Sequence, residues 1–245
     1  MMSYVIDLGN EPEFKGYILR LRGTTSEIVD LAGNNIINHG VDHTSVPSTL
    51  GNGKALKFSG SQYIETFLKD SFGRNEDFTI SFHIIESTWQ SDGGRDPIIS
   101  SLIRNDDNFA PQFTILLECT AASQFYYGFN TGGLYTPEPN PTGYEQLYNI
   151  STTKPATPCH VAFVMHNNIL KCYYRGQQLS QTYDHHGKRL HNKAYPVYIG
   201  YTPRTTSNLK YLRGTLDDLC IIKGKALWTS NFTPPTSYLP DYEYL

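Results

Sequence analysis

Apolar and polar positions alternate with period two along most of the chain. In FTISFHII (78–85), Phe78, Ile80, Phe82 and Ile84 fall on one side, and Thr79, Ser81 and His83 on the other. Such alternation is the mark of half-buried antiparallel strands, because successive side chains of a strand point to opposite faces. The same reading predicts strands over 16–22, 53–58, 62–67, 97–103, 112–119, 123–129, 160–166, 169–175, 196–201 and 211–223. Glycine, proline and asparagine punctuate them, and no long window carries apolar residues at helical spacing. HVAFVMH-NN-ILKCYYR is the sharpest local signal. Asn167 and Asn168 tolerate the positive φ that a two-residue type I′ turn demands. The predicted register sets His166 against Ile169 and Phe163 against Cys172. It sets Cys159 against Gly176, too far from Cys172 for a disulfide. A further turn is predicted at Gly176-Gln177-Gln178, leading into LSQTY. Residues 87–96, 130–146 and 183–195 lack periodicity and are predicted loops, long enough to bind something. The pattern describes one domain over 16–235, with an N-terminal arm (1–15) and a C-terminal tail (236–245).

Composition sharpens the class. Aromatics make up 13% of the 245 residues, led by 18 Tyr, while only 18% are charged, and there are 20 Gly and 14 Pro. That mixture suits an all-β globular protein. With 20 Lys+Arg against 23 Asp+Glu the net charge is −3, which leaves no electrostatic footprint for nucleic acid. No apolar run is long enough for a membrane-spanning helix. The opening MMSYVIDLGNEPEFKG lacks the basic and apolar regions of a secretory signal, so synthesis in a cytoplasm is the expectation. Cys119, Cys159, Cys172 and Cys220 sit in or beside apolar stretches and read as reduced, buried thiols.

Two segments carry a resemblance. GNGKALKFSGSQYIETF (51–67) followed by EDFTISFHI (76–84), and LRGTLDDLCIIKGKALWTSNFTPP (212–235), resemble the laminin-G-like branch of the concanavalin A-like lectin/glucanase jelly rolls. Asp30 to Asn34 and HVAFV…NNILKCYYRGQQL stand in the matching order. The resemblance covers about residues 16–235 and implies a single-domain antiparallel β-sandwich, a concanavalin A-like jelly roll. Its closing phrase, KGKALWTSNFTPP, is similar to the version in phage and prophage structural proteins. Trp228 and Phe232 are read as apolar anchors packing under the sheet edge, and Pro234-Pro235 as the stop to ladder pairing. Cys159 stands where a Trp is common in the family, a change expected to repack the core.

The resemblance implies, as first reading, a non-enzymatic bacteriophage virion structural protein, made in the host cytoplasm. It would be a capsid-decoration, fibre or tail-associated module, docked on other virion proteins and open to oligomerisation and host-surface attachment. The tail TSYLPDYEYL and the strand-like opening MSYVIDL are candidate docking ends. A second reading is a carbohydrate-binding, lectin-like module for a bacterial surface glycan, and a third is a glycoside hydrolase with an unrecognised site. The family's glucanases carry paired Glu in an E-x-D-x-x-E strand pattern. That pattern is missing here, Glu118 and Glu145 stand alone, and no nucleophile elbow, P-loop or H-E-x-x-H occurs, so no catalysis is expected.

Candidate sites follow. Sugars pack their apolar faces on Tyr and Trp, and Trp89, Tyr135, Tyr144, Tyr183 and Tyr195 stand in or beside the long loops as candidate glycan contacts. Related sandwiches hold a structural calcium through an Asp near the start and one in the last long strand. The matching residues are Asp30 and Asp217, which need further oxygens to complete a calcium shell. His185, His186 and His191 share a polar loop, where imidazoles suit a transition metal, although their spacing is not that of a zinc site.

Overall fold

The computed structural model describes residues 16–73, 75–87, 95–101, 113–119, 125–131, 144–151, 153, 157–184, 190–191, 193–203 and 211–240. Among these, fifteen strands and no helix form. They are β1 (Gly16–Gly23), β2 (Ile28–Asp30), β3 (Ile36–His39), β4 (Leu56–Ser59), β5 (Tyr63–Phe67), β6 (Phe78–Ser87), β7 (Arg95–Ser100) and β8 (Phe113–Cys119). Then come β9 (Phe125–Thr131), β10 (Tyr144–Ser151), β11 (Cys159–His166), β12 (Ile169–Tyr174), β13 (Gln177–Asp184), β14 (Pro196–Ile199) and β15 (Arg213–Lys223).

The strands make two antiparallel sheets, and the chain is an all-β sandwich. One sheet runs β13-β12-β11-β6-β15-β1-β2, and β4 pairs with the first part of β15. The other runs β10-β9-β8-β7-β14-β5-β3. Between them lies one continuous apolar core. Phe78, Ile80, Phe82 and Ile84 of β6 enter it with Phe163 of β11, Ile64 of β5, Phe113 and Ile115 of β8, and Tyr127 of β9. Alternation therefore predicted the inward face of β6 in full.

The Asn-Asn hairpin also forms as expected. His166 pairs with Ile169 and Phe163 with Cys172, and Asn167 and Asn168 have φ of 50° and 64°. Cys159, Cys172 and Cys220 are free, buried thiols. The next turn comes one residue earlier than predicted: Tyr174 pairs with Gln177, and Arg175 and Gly176 take the positive φ.

Alternation misjudged the outward face of the eight-stranded sheet. Thr79, Ser81, His83, His160, Asp217 and Asp218 point away from the core, yet all are buried. The segment after β15 covers them, running out across the sheet and back. Thr79 Oγ1 donates to the Lys225 carbonyl and accepts from Leu227 N–H. Trp228 and Phe232, parallel at 4.2 Å between centroids, lie edge-on to His160. Phe232 N–H donates to the Gly176 carbonyl. Trp228 thus packs on the outer face of the sheet, outside the sandwich core. The strap then returns over His83, whose ring bonds the Pro235 carbonyl, and ends on β1. There Tyr17 donates to the Pro240 carbonyl, Arg20 donates to the Leu239 carbonyl, and the Arg22 guanidinium sits 3.6 Å above the Tyr238 ring. Tyr238, Leu239 and Pro240, read from sequence as part of a docking tail, are bound to the chain's own sheet. The N-terminal docking strand lies outside the described residues.

Candidate functional site

The outward face of the seven-stranded sheet is built differently. Strand β5 reads YIETF, so Tyr63, Glu65 and Phe67 point away from the core while Ile64 and Thr66 are buried. Pairing fixes their neighbours. His39 lies opposite Tyr63 and Ile37 opposite Glu65 on one flank, with Tyr198 opposite Glu65 on the other. Directly opposed residues of an antiparallel pair share a face. After β14 the chain turns at Gly200, and Tyr201 forms an isolated bridge with Tyr211.

Five rings meet there. His39 and Tyr63 stack at 4.0 Å and 12°, Tyr63 and Tyr201 lie 4.9 Å apart, and Tyr201 and Tyr211 stack at 5.0 Å and 25°. Tyr198 stands perpendicular to Tyr201 at 5.5 Å. All four tyrosines are half-buried and His39 is exposed. Rings stacked face to face use those faces on one another. Outward, the row therefore offers ring edges and phenol hydroxyls, and the faces left over belong to its terminal rings, His39 and Tyr211. Ile37 and Phe67, each 50% exposed, flank it.

Glu65 lies within this row. Its Oε2 is 3.5 Å from His39 Nε2. Desolvation, reinforced by the Glu65 carboxylate, pushes the Tyr63 and Tyr198 hydroxyls above their ordinary range. Both stay protonated at neutral pH and can donate as well as accept. The result is an aromatic shelf with hydroxyl donors and one carboxylate acceptor, presented on a rigid sheet.

The sequence-predicted contacts do not assemble there. Trp89 and Tyr135 lie outside the described residues. Tyr144 stands at the start of β10, in a segment read from sequence as loop. Tyr183 is on β13 and packs edge-on against buried Tyr148 at 5.4 Å, so its ring supports the core. Tyr195 is half-buried just before β14. The sequence places candidate aromatics in or beside long loops; the cluster forms on strands and at one bridge. The available signal was Tyr rather than Thr or Lys at the outward positions of YIETF and PVYIGY.

The two candidate calcium aspartates also stand apart. Asp30 closes its own turn, accepting from the Arg20 and Ala32 amides at 2.7 and 2.9 Å and from the Asn34 side chain. Asp217 Oδ2 accepts from Ser48 Oγ and the Thr49 amide at 2.6 and 3.1 Å. Strand β1 runs between them. Burial raises both carboxyls above their ordinary range. Among the described residues no group of three or more His, Cys, Asp or Glu is arranged to hold a metal ion. His191, expected in an exposed loop, is buried: its backbone pairs with Phe72, and its Nδ1 lies 2.7 Å from Ser101 Oγ. His185 and His186 lie outside the described residues.

No protein-family model matches the chain, and no curated protein does. Solved structures do. The binding domain of botulinum neurotoxin serotype D superposes with a TM-score of 0.60 at 16% identity, over 87% of this chain and 48% of that one. The binding domain of botulinum neurotoxin DC in complex with SialylT gives 0.61 at 14%, over 87% and 49%. Tailspike protein 2 of the Escherichia coli O157:H7 bacteriophage CAB120 gives 0.50 at 11%, over 86% and 26%. The chain spans about half the length of the toxin domains and about a quarter of the tailspike. At these identities the likeness is one of fold.

Proposed function

We propose that the chain is a non-catalytic glycan-binding module of a bacteriophage particle, attaching it to a bacterial surface polysaccharide. The observation that carries this reading is the row of His39, Tyr63, Tyr201 and Tyr211, with Tyr198 beside it, on the outward face of one sheet while the strap covers that of the other. Hydroxyl-bearing ring edges beside a carboxylate suit sugar hydroxyls, and the terminal ring faces suit the apolar side of a pyranose. Two lines support the setting. The closing phrase KGKALWTSNFTPP resembles phage structural proteins, and the fold is shared with toxin binding domains and a tailspike. The non-catalytic part of the reading rests on the missing E-x-D-x-x-E pattern.

A glycan array of bacterial surface polysaccharides tests the reading. Saturable binding is expected, weakened about tenfold by Tyr201→Ala, which corresponds to about 1.4 kcal/mol. Binding that ignores both Tyr201→Ala and Tyr63→Ala overturns it, and so does release of reducing ends from the bound polymer. The particle setting has its own test. Mass spectrometry of purified virions from the phage or prophage that encodes the chain should find it in stoichiometric amount, docked on other virion proteins, and its absence would remove the virion from the proposal.

A second reading, a purely structural decoration module, is favoured by the same closing phrase. It expects particle incorporation without any glycan binding.

A further inference from the structure

We infer that Glu65 makes the aromatic row selective for uncharged, hydroxyl-rich sugars and sets it against acidic ones. The inference rests on the glycan-binding reading above and concerns the same site. Glu65 is fixed by its place in the ladder. It follows Tyr63 by two residues on β5, so it shares the outward face, with Ile37 and Tyr198 as its cross-strand neighbours. Its side chain is 24% exposed, deep enough to be screened less than a rim carboxylate and open enough to be reached. Oε2 faces His39 Nε2, while Oε1 has no hydrogen-bond partner among the described residues.

Among the described residues, guanidinium-over-ring contacts are made by Arg20 on Tyr17, Arg22 on Tyr238 and Arg175 on Tyr174, none of them in the row. Arg213, which precedes the rest of β15 two residues after Tyr211, is paired with Asp96 at 3.3 Å. A sugar hydroxyl can donate to Glu65 Oε1 in a charge-assisted bond, stronger than a neutral one. A sugar carboxylate in the same place would meet a like charge on a partly desolvated surface, which disfavours it. The phenol hydroxyls of Tyr63 and Tyr198, kept protonated, add neutral donors that do not depend on ligand charge.

The test uses the full chain and matched ligands: a panel of neutral hexose oligosaccharides and the same oligosaccharides oxidised at C6 to uronates. Affinities are measured by calorimetry at low and at physiological salt. The wild-type chain should bind the neutral member of a pair at least tenfold more tightly, and the ratio should shrink as salt rises. Glu65→Gln, isosteric and uncharged, should weaken neutral binding several-fold and narrow the ratio further. Equal or tighter binding of the uronates by the wild-type chain, or a ratio unchanged by Glu65→Gln, overturns the selectivity while leaving the glycan reading intact. Binding of neither series, together with an array on which Tyr201→Ala changes nothing, overturns that reading and this inference with it.

Discussion

The rings of His83 and His160 lie 4.7 Å apart, between paired positions of β6 and β11. His160 Nε2 lies 2.7 Å from Ser81 Oγ, and the His83 ring bonds the Pro235 carbonyl. Neither Nδ1 has a hydrogen-bond partner among the described residues. Trp228 and Phe232 roof His160, and Asp217 and Asp218 of β15 approach from the other side, with Arg20 and Arg22 of β1 beyond. Burial under the strap favours the neutral form of both imidazoles.

Acid should therefore destabilise the protein before its carboxylates titrate. Desolvation holds His83 and His160 below the ordinary imidazole value, and His191, buried beside Phe72, is lowered from 6.5 to about 4. For a base lowered by folding, the unfolded chain takes up the proton first. Stability is then complete above about pH 6.5 and falls as pH drops toward the folded values. Each site costs about 1.4 kcal/mol per pH unit in that window. Asp30, Asp217 and Glu76, raised by burial, have the opposite sign and offset part of the loss at lower pH. Urea midpoints between pH 7.5 and 4.5 should fall with a slope of more than one proton, and His160→Gln should flatten it. A slope unaffected by His160→Gln would refute the assignment.

Asp218 supports the strap from beneath. It sits in a β-bulge of β15 with φ of 43°, which turns its carboxylate toward β1. Arg22 Nε bonds it at 3.1 Å and Arg20 Nε lies 3.6 Å away, with the Arg20 side chain only 1% exposed. Asp218→Asn keeps the shape but removes the carboxylate that Arg20 and Arg22 face, and breaking a buried ion pair typically costs about 3–5 kcal/mol. Chemical denaturation should show a loss of that size. A loss under about 1 kcal/mol would mean that the Asp218 charge contributes little to holding Arg20 and Arg22 under the strap.

Legibility in the sequence followed burial. Strands that place one face in the core, such as β6, show period two and were readable residue by residue, and β11, apolar on both faces, was readable from its Asn-Asn hairpin. Strands β2 and β3 are short and bury little: Ile37, Asn38 and His39 are all exposed, so no alternation marked them. Strand β10 was hidden because its start at Tyr144 falls in a stretch of Pro, Gly and Asn. The aromatic row was missed for a related reason. Its members come from β3, β5, β14 and the Tyr201–Tyr211 bridge, and only the strand order brings them together. The polar side of β6 could be read correctly as outward, but nothing in FTISFHII says that a strap beginning 146 residues after Thr79 covers it.

The Gly176 turn decides how closely that strap can lie. Gly176 has φ of 76°, and an added Cβ would be driven into the Phe232 carbonyl oxygen. Gly33 has a similar φ of 83° but open space around the equivalent position. Alanine at either site meets the left-handed penalty of about 1–2 kcal/mol; only at Gly176 must the strap also move. Gly176→Ala should thus cost at least about 1 kcal/mol more than Gly33→Ala in thermal or urea unfolding, where one extra clash with backbone leads to local repacking. The chain has two tryptophans, so in a Trp89→Phe background emission reports Trp228 alone. Gly176→Ala should shift that emission to the red as the Trp228–Phe232 stack lifts from His160, and Gly33→Ala should not. Equal losses at the two glycines with unchanged emission would show that the strap tolerates displacement, and that Phe232 is not pressed against the turn.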